Sequence, residues 1–165
     1  AWARYLDRRM RDDVDPLKCR IYDMVTTPKD INDLVLGEAE FWGQTPGLVV
    51  VDNVVNLVKE MSYEGFRSTF ISLQKVARLR GTTVVALHHV KRDSSSGQLA
   101  LHSGSFAGEQ ESEIVLGLWR GGGPNLTVGI LKNRNGMADP SGALNYNLIM
   151  DHNNFRIKGG DLARS

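Results

Sequence analysis

Residues 47 to 54 read GLVVVDNV, four successive apolar side chains (Leu48, Val49, Val50, Val51) running straight into the carboxylate of Asp52. A strand alternates its side chains between two faces, so an unbroken apolar run fits a strand buried on both. Sheets of that kind are parallel and covered by helices. A second such run, TTVVALHHV, occupies 82 to 90. Between the two, Phe66, Phe70, Leu73, Val76 and Ala77 mark one side of a helix and Arg67, Gln74, Lys75 and Arg78 the other, with Gly81 suited to its C-terminal turn. Strand, helix and strand in this order predict α/β architecture with a parallel pair joined by a crossover. Ligands in such sheets bind beyond the carboxyl ends of the strands, where Asp52, His88 and His89 fall.

The flanks extend this frame. Trp2, Leu6 and Met10 recur at helical spacing, and CRIYDM (19 to 24) has the composition of a strand. Thr27 offers an N-cap and Pro28 a first helical residue, followed by an apolar stripe of Ile31, Leu34, Val35, Phe41 and Trp42 that stops at Gly43. After residue 113 the texture changes to EIVLGLW, LTVGILKNR, ALNYNLIM and FRI, separated by Gly, Pro and Asn turns, which predicts an antiparallel extension. The whole chain, 1–165, is therefore expected to be a single core, parallel α/β over 1–112 and mainly β over 113–165.

Charge narrows the function little. With 20 basic and 19 acidic residues the net charge is +1, so nucleic-acid contact needs a local patch rather than an overall basic surface. Cys19 is the single cysteine, which excludes an internal disulfide and a multi-thiol zinc site and points to a reducing, cytoplasmic setting. No apolar run approaches the ~20 residues a membrane helix needs. The opening at Ala1, already inside a periodic segment, is the pattern of a piece of something longer.

Several further segments take their meaning together. LVVVDNV resembles the Walker B segment of RecA-fold NTPases, and the chain as a whole is similar to the motor domain of DnaB-type replicative helicases. RIYDMVTTPKDINDLVLGEAEF follows that family's order of strand, Thr-Pro turn and helix before Walker B; HHVKR (88 to 92), SGSFAGEQESE and KNRNG (132 to 136) follow its later motifs. The resemblance implies a RecA-like core of mostly parallel sheet flanked by helices, with antiparallel C-terminal strands. It implies an ATP-dependent helicase in replication or recombination, assembled as a ring, expected to be a hexamer.

It also implies residue roles. Asp52 would hold Mg²⁺ beside the ATP phosphates, with Asn53 next to it in the nucleotide site. His89 stands where the family has a glutamine that senses the γ-phosphate; histidine can still donate a hydrogen bond there. Lys132 and Arg134, two apart on a strand and so on one face with Leu126, Val128 and Ile130, end a core-facing row and match the pair reaching a neighbouring subunit's γ-phosphate. Lys91, Arg92, Ser94, Ser95 and Gly97 belong to the loop that meets single-stranded DNA, where cations attract phosphate and small residues supply mobility.

No Gly-x-x-x-x-Gly-Lys-Ser/Thr occurs in the chain, and the family's general-base glutamate would precede Ala1. The chain alone is therefore expected to turn over ATP poorly. Two other readings stay open from the residues themselves. Asp52, Asp23, the histidines and the acidic run Glu109, Glu111 and Glu113, facing one way on a strand, would suit a metal-dependent nuclease. A non-catalytic DNA-binding or assembly module would need Lys91 and Arg92 but not Asp52.

Overall fold

The computed structural model describes residues 20–90, 99–101, 106–120, 124–151, 153–154 and 156–164. Helix α1 spans Pro28–Trp42 and is bounded as its sequence requires. The Thr27 hydroxyl accepts from the Asp30 backbone N–H at 3.2 Å, and the Asp30 carboxylate accepts from the Thr27 N–H at 2.8 Å, so two of the helix's orphan donors are satisfied reciprocally. Foremost the Thr26 N–H, which donates to the Asp30 carboxylate at 3.1 Å, and then the Thr27 hydroxyl and N–H hold that carboxyl below its usual range. Gly43 closes the helix in the left-handed conformation, φ 68°.

The apolar run forms β1, Leu48–Val51, and a single turn of 3-10 helix follows at Val54–Leu57. Helix α2 covers Tyr63–Arg80, capped by Ser62 and by left-handed Gly81, and leads into β2, Thr83–Ala86. The two strands pair in parallel from Leu48 opposite Thr83 to Val51 opposite Ala86. Helices α1 and α2 pack on one face of this pair. Ile31, Val35, Phe70, Leu73 and Val76 meet Val51, with Val49, Val84 and Ala86 against the same cluster. The opposite face carries Leu48, Val50, Val85 and Leu87, 40–56% exposed. Among the described residues nothing covers it, which corrects the expectation of a sheet shielded on both sides.

The second half holds α3, Phe106–Glu111, and four strands: β3 (Ile114–Arg120), β4 (Asn125–Asn133), β5 (Leu144–Asp151) and β6 (Arg156–Arg164). They form one antiparallel sheet in chain order, as the turn-rich texture predicts. Gly129 is opposite Gly117 in the ladder, and a Cβ on Gly129 would lie 2.9 Å from the Trp119 ring. The indole thus fills the space that two missing side chains leave.

Other sequence expectations need correction. The architecture is α/β, but the parallel part contains two strands and the antiparallel part four, in separate sheets, so a mostly parallel sheet is not what forms. Residues 20 to 24 are not a strand: Ile21 and Met24 are largely exposed, and the segment joins no ladder that would fix it extended. Phe41 and Trp42 do not share the buried stripe of α1, of which Ile31 and Val35 form the buried part. In β4 the inward row is Thr127, Gly129 and Leu131 rather than Leu126, Val128 and Ile130, because Trp119 and Leu99 lie against that side. The last strand reaches well past FRI, to Arg164. Among the described residues no helix is long and apolar enough to cross a membrane.

Candidate functional site at the carboxyl ends of the parallel strands

The two parallel strands stay joined just past their ends. Leu87 donates its N–H to the Val51 carbonyl at 2.9 Å, and Val54 donates to the Leu87 carbonyl, also at 2.9 Å. Asp52 and Asn53 are the two residues between these bonds, and the peptide linking them is cis. Val54, fully buried, and Leu57 root the following 3-10 turn in the core. Asn53 caps that turn, its side-chain oxygen accepting from the Val55 N–H at 3.0 Å. Asp52 is exposed, and its carboxylate has no hydrogen bond or ion pair with any described residue. Local capping is thus done by the amide next door, and the acid is left exposed at the end of β1.

The histidines lie beyond β2 rather than on it, so strand alternation does not set their directions. His88 turns inward: its ring stacks on Phe66 of α2 with centroids 5.4 Å apart and planes 15° apart. Its Nδ1 is buried without a hydrogen-bond partner among the described residues. Burial, and secondarily the neighbouring His89, push its pKa below the usual histidine range. His89, the residue at the family's sensor position, is exposed.

Lys132 and Arg134 meet a different partner from the one sequence reading supplied. The Lys132 ammonium donates to the main-chain carbonyls of Glu109 and, at 2.9 Å, Gln110. Arg134 donates through Nη2 to the Gln110 carbonyl at 3.0 Å, and its Nε lies 3.6 Å from the Glu113 carboxylate. The two cations therefore cap the C-terminal end of α3, where unpaired carbonyls concentrate partial negative charge. Desolvation, with Arg134 adding to it, lowers the Lys132 pKa. The other side of α3 hangs on α2: Tyr63 donates its hydroxyl to the Gln110 side chain at 2.5 Å, Arg67 pairs with Glu111 at 2.8 Å, and Gln74 donates to the Glu111 carbonyl. Arg78 reaches Glu113 at 3.3 Å. Among the described residues no hydrogen bond or ion pair joins Lys132 or Arg134 to Asp52, His88 or His89.

Glu109 and Glu111 lie on a helix, not on a strand, so the acidic run does not form one carboxylate face. Among the described residues no three His, Cys, Asp or Glu side chains converge to hold a metal. Asp23 is exposed on the segment before α1. Lys91, Arg92, Ser94, Ser95 and Gly97, like Cys19 and the Trp2, Leu6, Met10 stripe, lie outside the described residues. Sequence reasoning missed the α3 clasp. Its signal was present as two cations at the end of one strand and a short acidic segment without a basic C-terminal turn of its own.

A single acid at the tip of a two-stranded parallel unit, beside a four-stranded antiparallel sheet, defines an α/β protein with its candidate site at the strand ends. No family model matches the chain. It is similar over 149 residues to the Gene 65 protein of Mycobacterium phage D29, at 31% identity, and to the Gene 65 protein of Mycobacterium phage L5, at 29%. Each match covers 83% of this chain, which spans 64% of the first relative and 56% of the second.

Proposed function

We propose that these residues form the metal-facing and phosphate-sensing part of a RecA-type, Mg·ATP-driven motor that works on single-stranded DNA in replication or recombination. The carrying observation is the Asp52 carboxylate. It is exposed at the end of a strand that packs on the core by one face, relieved of capping by Asn53 and held in place by the bonds at Leu87. Mg²⁺ at a phosphate site commonly takes one or two protein carboxylates and completes its shell with water and phosphate oxygens, so a lone outward acid fits. When bound, the ion would neutralise charge on the phosphates.

In this reading the phosphate loop and the general base come from residues outside these 165, in keeping with the greater length of the phage relatives. Lys132 and Arg134 serve the γ-phosphate of a neighbouring subunit in a hexameric ring. Lys91, Arg92, Ser94, Ser95 and Gly97 contact the DNA backbone, and binding weakens with salt.

Strand separation tests the proposal. The full-length gene product carrying this segment should unwind a forked duplex only with ATP and Mg²⁺, and Asp52→Asn should abolish unwinding while the protein stays folded. Metal-dependent degradation of the DNA without ATP would overturn the motor reading in favour of a nuclease.

A further inference from the structure

Lys132 and Arg134 are engaged within this chain with the Glu109 and Gln110 carbonyls, and Arg134 also lies 3.6 Å from the Glu113 carboxylate. Helix-end carbonyls carry about half a unit of negative charge in total, whereas an oligophosphate brings full charges and oxygens spaced for paired donors. We propose that the two side chains form a latch on α3 which an oligophosphate anion opens. In the resting chain they cap the Glu109 and Gln110 carbonyls, and they exchange these for phosphate oxygens when an anion reaches the end of β4.

The surroundings permit that exchange. The Arg134 side chain is 48% exposed, so an anion can engage it before α3 moves. Four cations, Arg67, Arg78, Lys132 and Arg134, face the three carboxylates Glu109, Glu111 and Glu113 across this junction. Glu111 is held by Arg67, and Glu113 is shared between Arg78 and Arg134. Opening removes the Lys132 and Arg134 ties to α3 and leaves those to α2, through Tyr63, Arg67 and Gln74. The helix is then held by α2 and by its chain link to β3, where Arg134 still donates its main-chain N–H to the Glu113 carbonyl at 3.1 Å. The latch rests on the motor reading for the source of its natural anion, a nucleotide on a neighbouring subunit, but its test does not.

Hydrogen exchange at the amides of 110 to 112, of which that of Ser112 donates to the Gly108 carbonyl at 3.1 Å, reads the fraying of α3 that opening allows, with inorganic pyrophosphate as the probe and sodium chloride at equal ionic strength as the control. Pyrophosphate should speed exchange there about tenfold, the scale of one lost hydrogen bond to a charged group. The amides of α2 should stay unchanged, reporting an intact fold. Lys132→Met with Arg134→Gln, which keeps apolar stems and volume, should show the fast exchange without anion and no further response. The proposal is overturned if pyrophosphate leaves wild-type exchange unchanged, if the double variant keeps slow exchange, or if the variant responds to pyrophosphate as the wild type does. Failure of the motor reading shows separately, as absent ATP turnover in the gene product with the pyrophosphate response intact.

Discussion

Asp52 and Asn53 divide two tasks that a single acid at a strand end often combines: Asn53 caps the following turn, and Asp52 points outward. The sequence made the position of Asp52 legible, because an oily run must surface somewhere and polar residues mark where. Which neighbour would do the capping was not legible, since Asp and Asn cap equally well. His88 supplies a residue-scale prediction. Its pKa is depressed by burial, so the folded state holds the ring neutral while the unfolded chain protonates it near 6.5. Stability is then unaffected above that value and falls as pH drops toward the folded pKa. His88→Phe, which keeps a ring against Phe66, should flatten the loss of melting temperature between pH 7.5 and 5.5. The carboxylates of Asp30, Asp139 and Asp151, with lowered pKa values, titrate below this window. Gly142 supplies another. It holds φ 76°, and a Cβ there would stand 2.2 Å from the Leu99 carbonyl oxygen. Gly142→Ala should therefore cost about 2 to 3 kcal/mol in urea unfolding.

Elements were legible in proportion to how local their causes are. The caps of α1, Thr27, Pro28 and Gly43, and the stop of α2 at Gly81 depend on a few neighbouring residues, and the sequence placed all of them. Residues 20 to 24 have strand-like composition, but a strand needs a ladder, and composition does not report a partner's presence. The acidic run around α3 misled for a similar reason: alternation of Glu suggests a strand only until Lys132 and Arg134 supply a helix with its cap. The β1–β2 pair yields a contrast between its two sides. Leu73→Ala, at a site 3% exposed, should destabilise by about 2 to 5 kcal/mol, as core truncations do. Leu48→Ala, at a site 56% exposed, should change stability by about 0.5 kcal/mol or less. Chemical denaturation of both variants decides the matter. Equal losses would mean that the open face is covered in solution.

For the whole molecule, apolar runs and turn texture separated the α/β half from the β half, but they said nothing of how the halves join. That junction is made by α3, between α2 on one side and β4 on the other, through contacts spanning 22 to 47 residues of sequence. Such contacts leave no periodic trace. They also place the cations of β4 on a helix end rather than beside Asp52, so in the proposed motor the two sets of residues serve different nucleotides, as a ring requires. In the proposed motor the Asp52 carboxylate serves the metal of a nucleotide, and steady-state ATP hydrolysis by the full-length gene product measures that role. With single-stranded DNA present, Asp52→Asn should lower kcat at least about 100-fold, the scale of losing one electrostatic group at a reacting phosphate, while Asp23→Asn leaves it unchanged. Wild-type kcat in Asp52→Asn would exclude a role for this carboxylate at the metal.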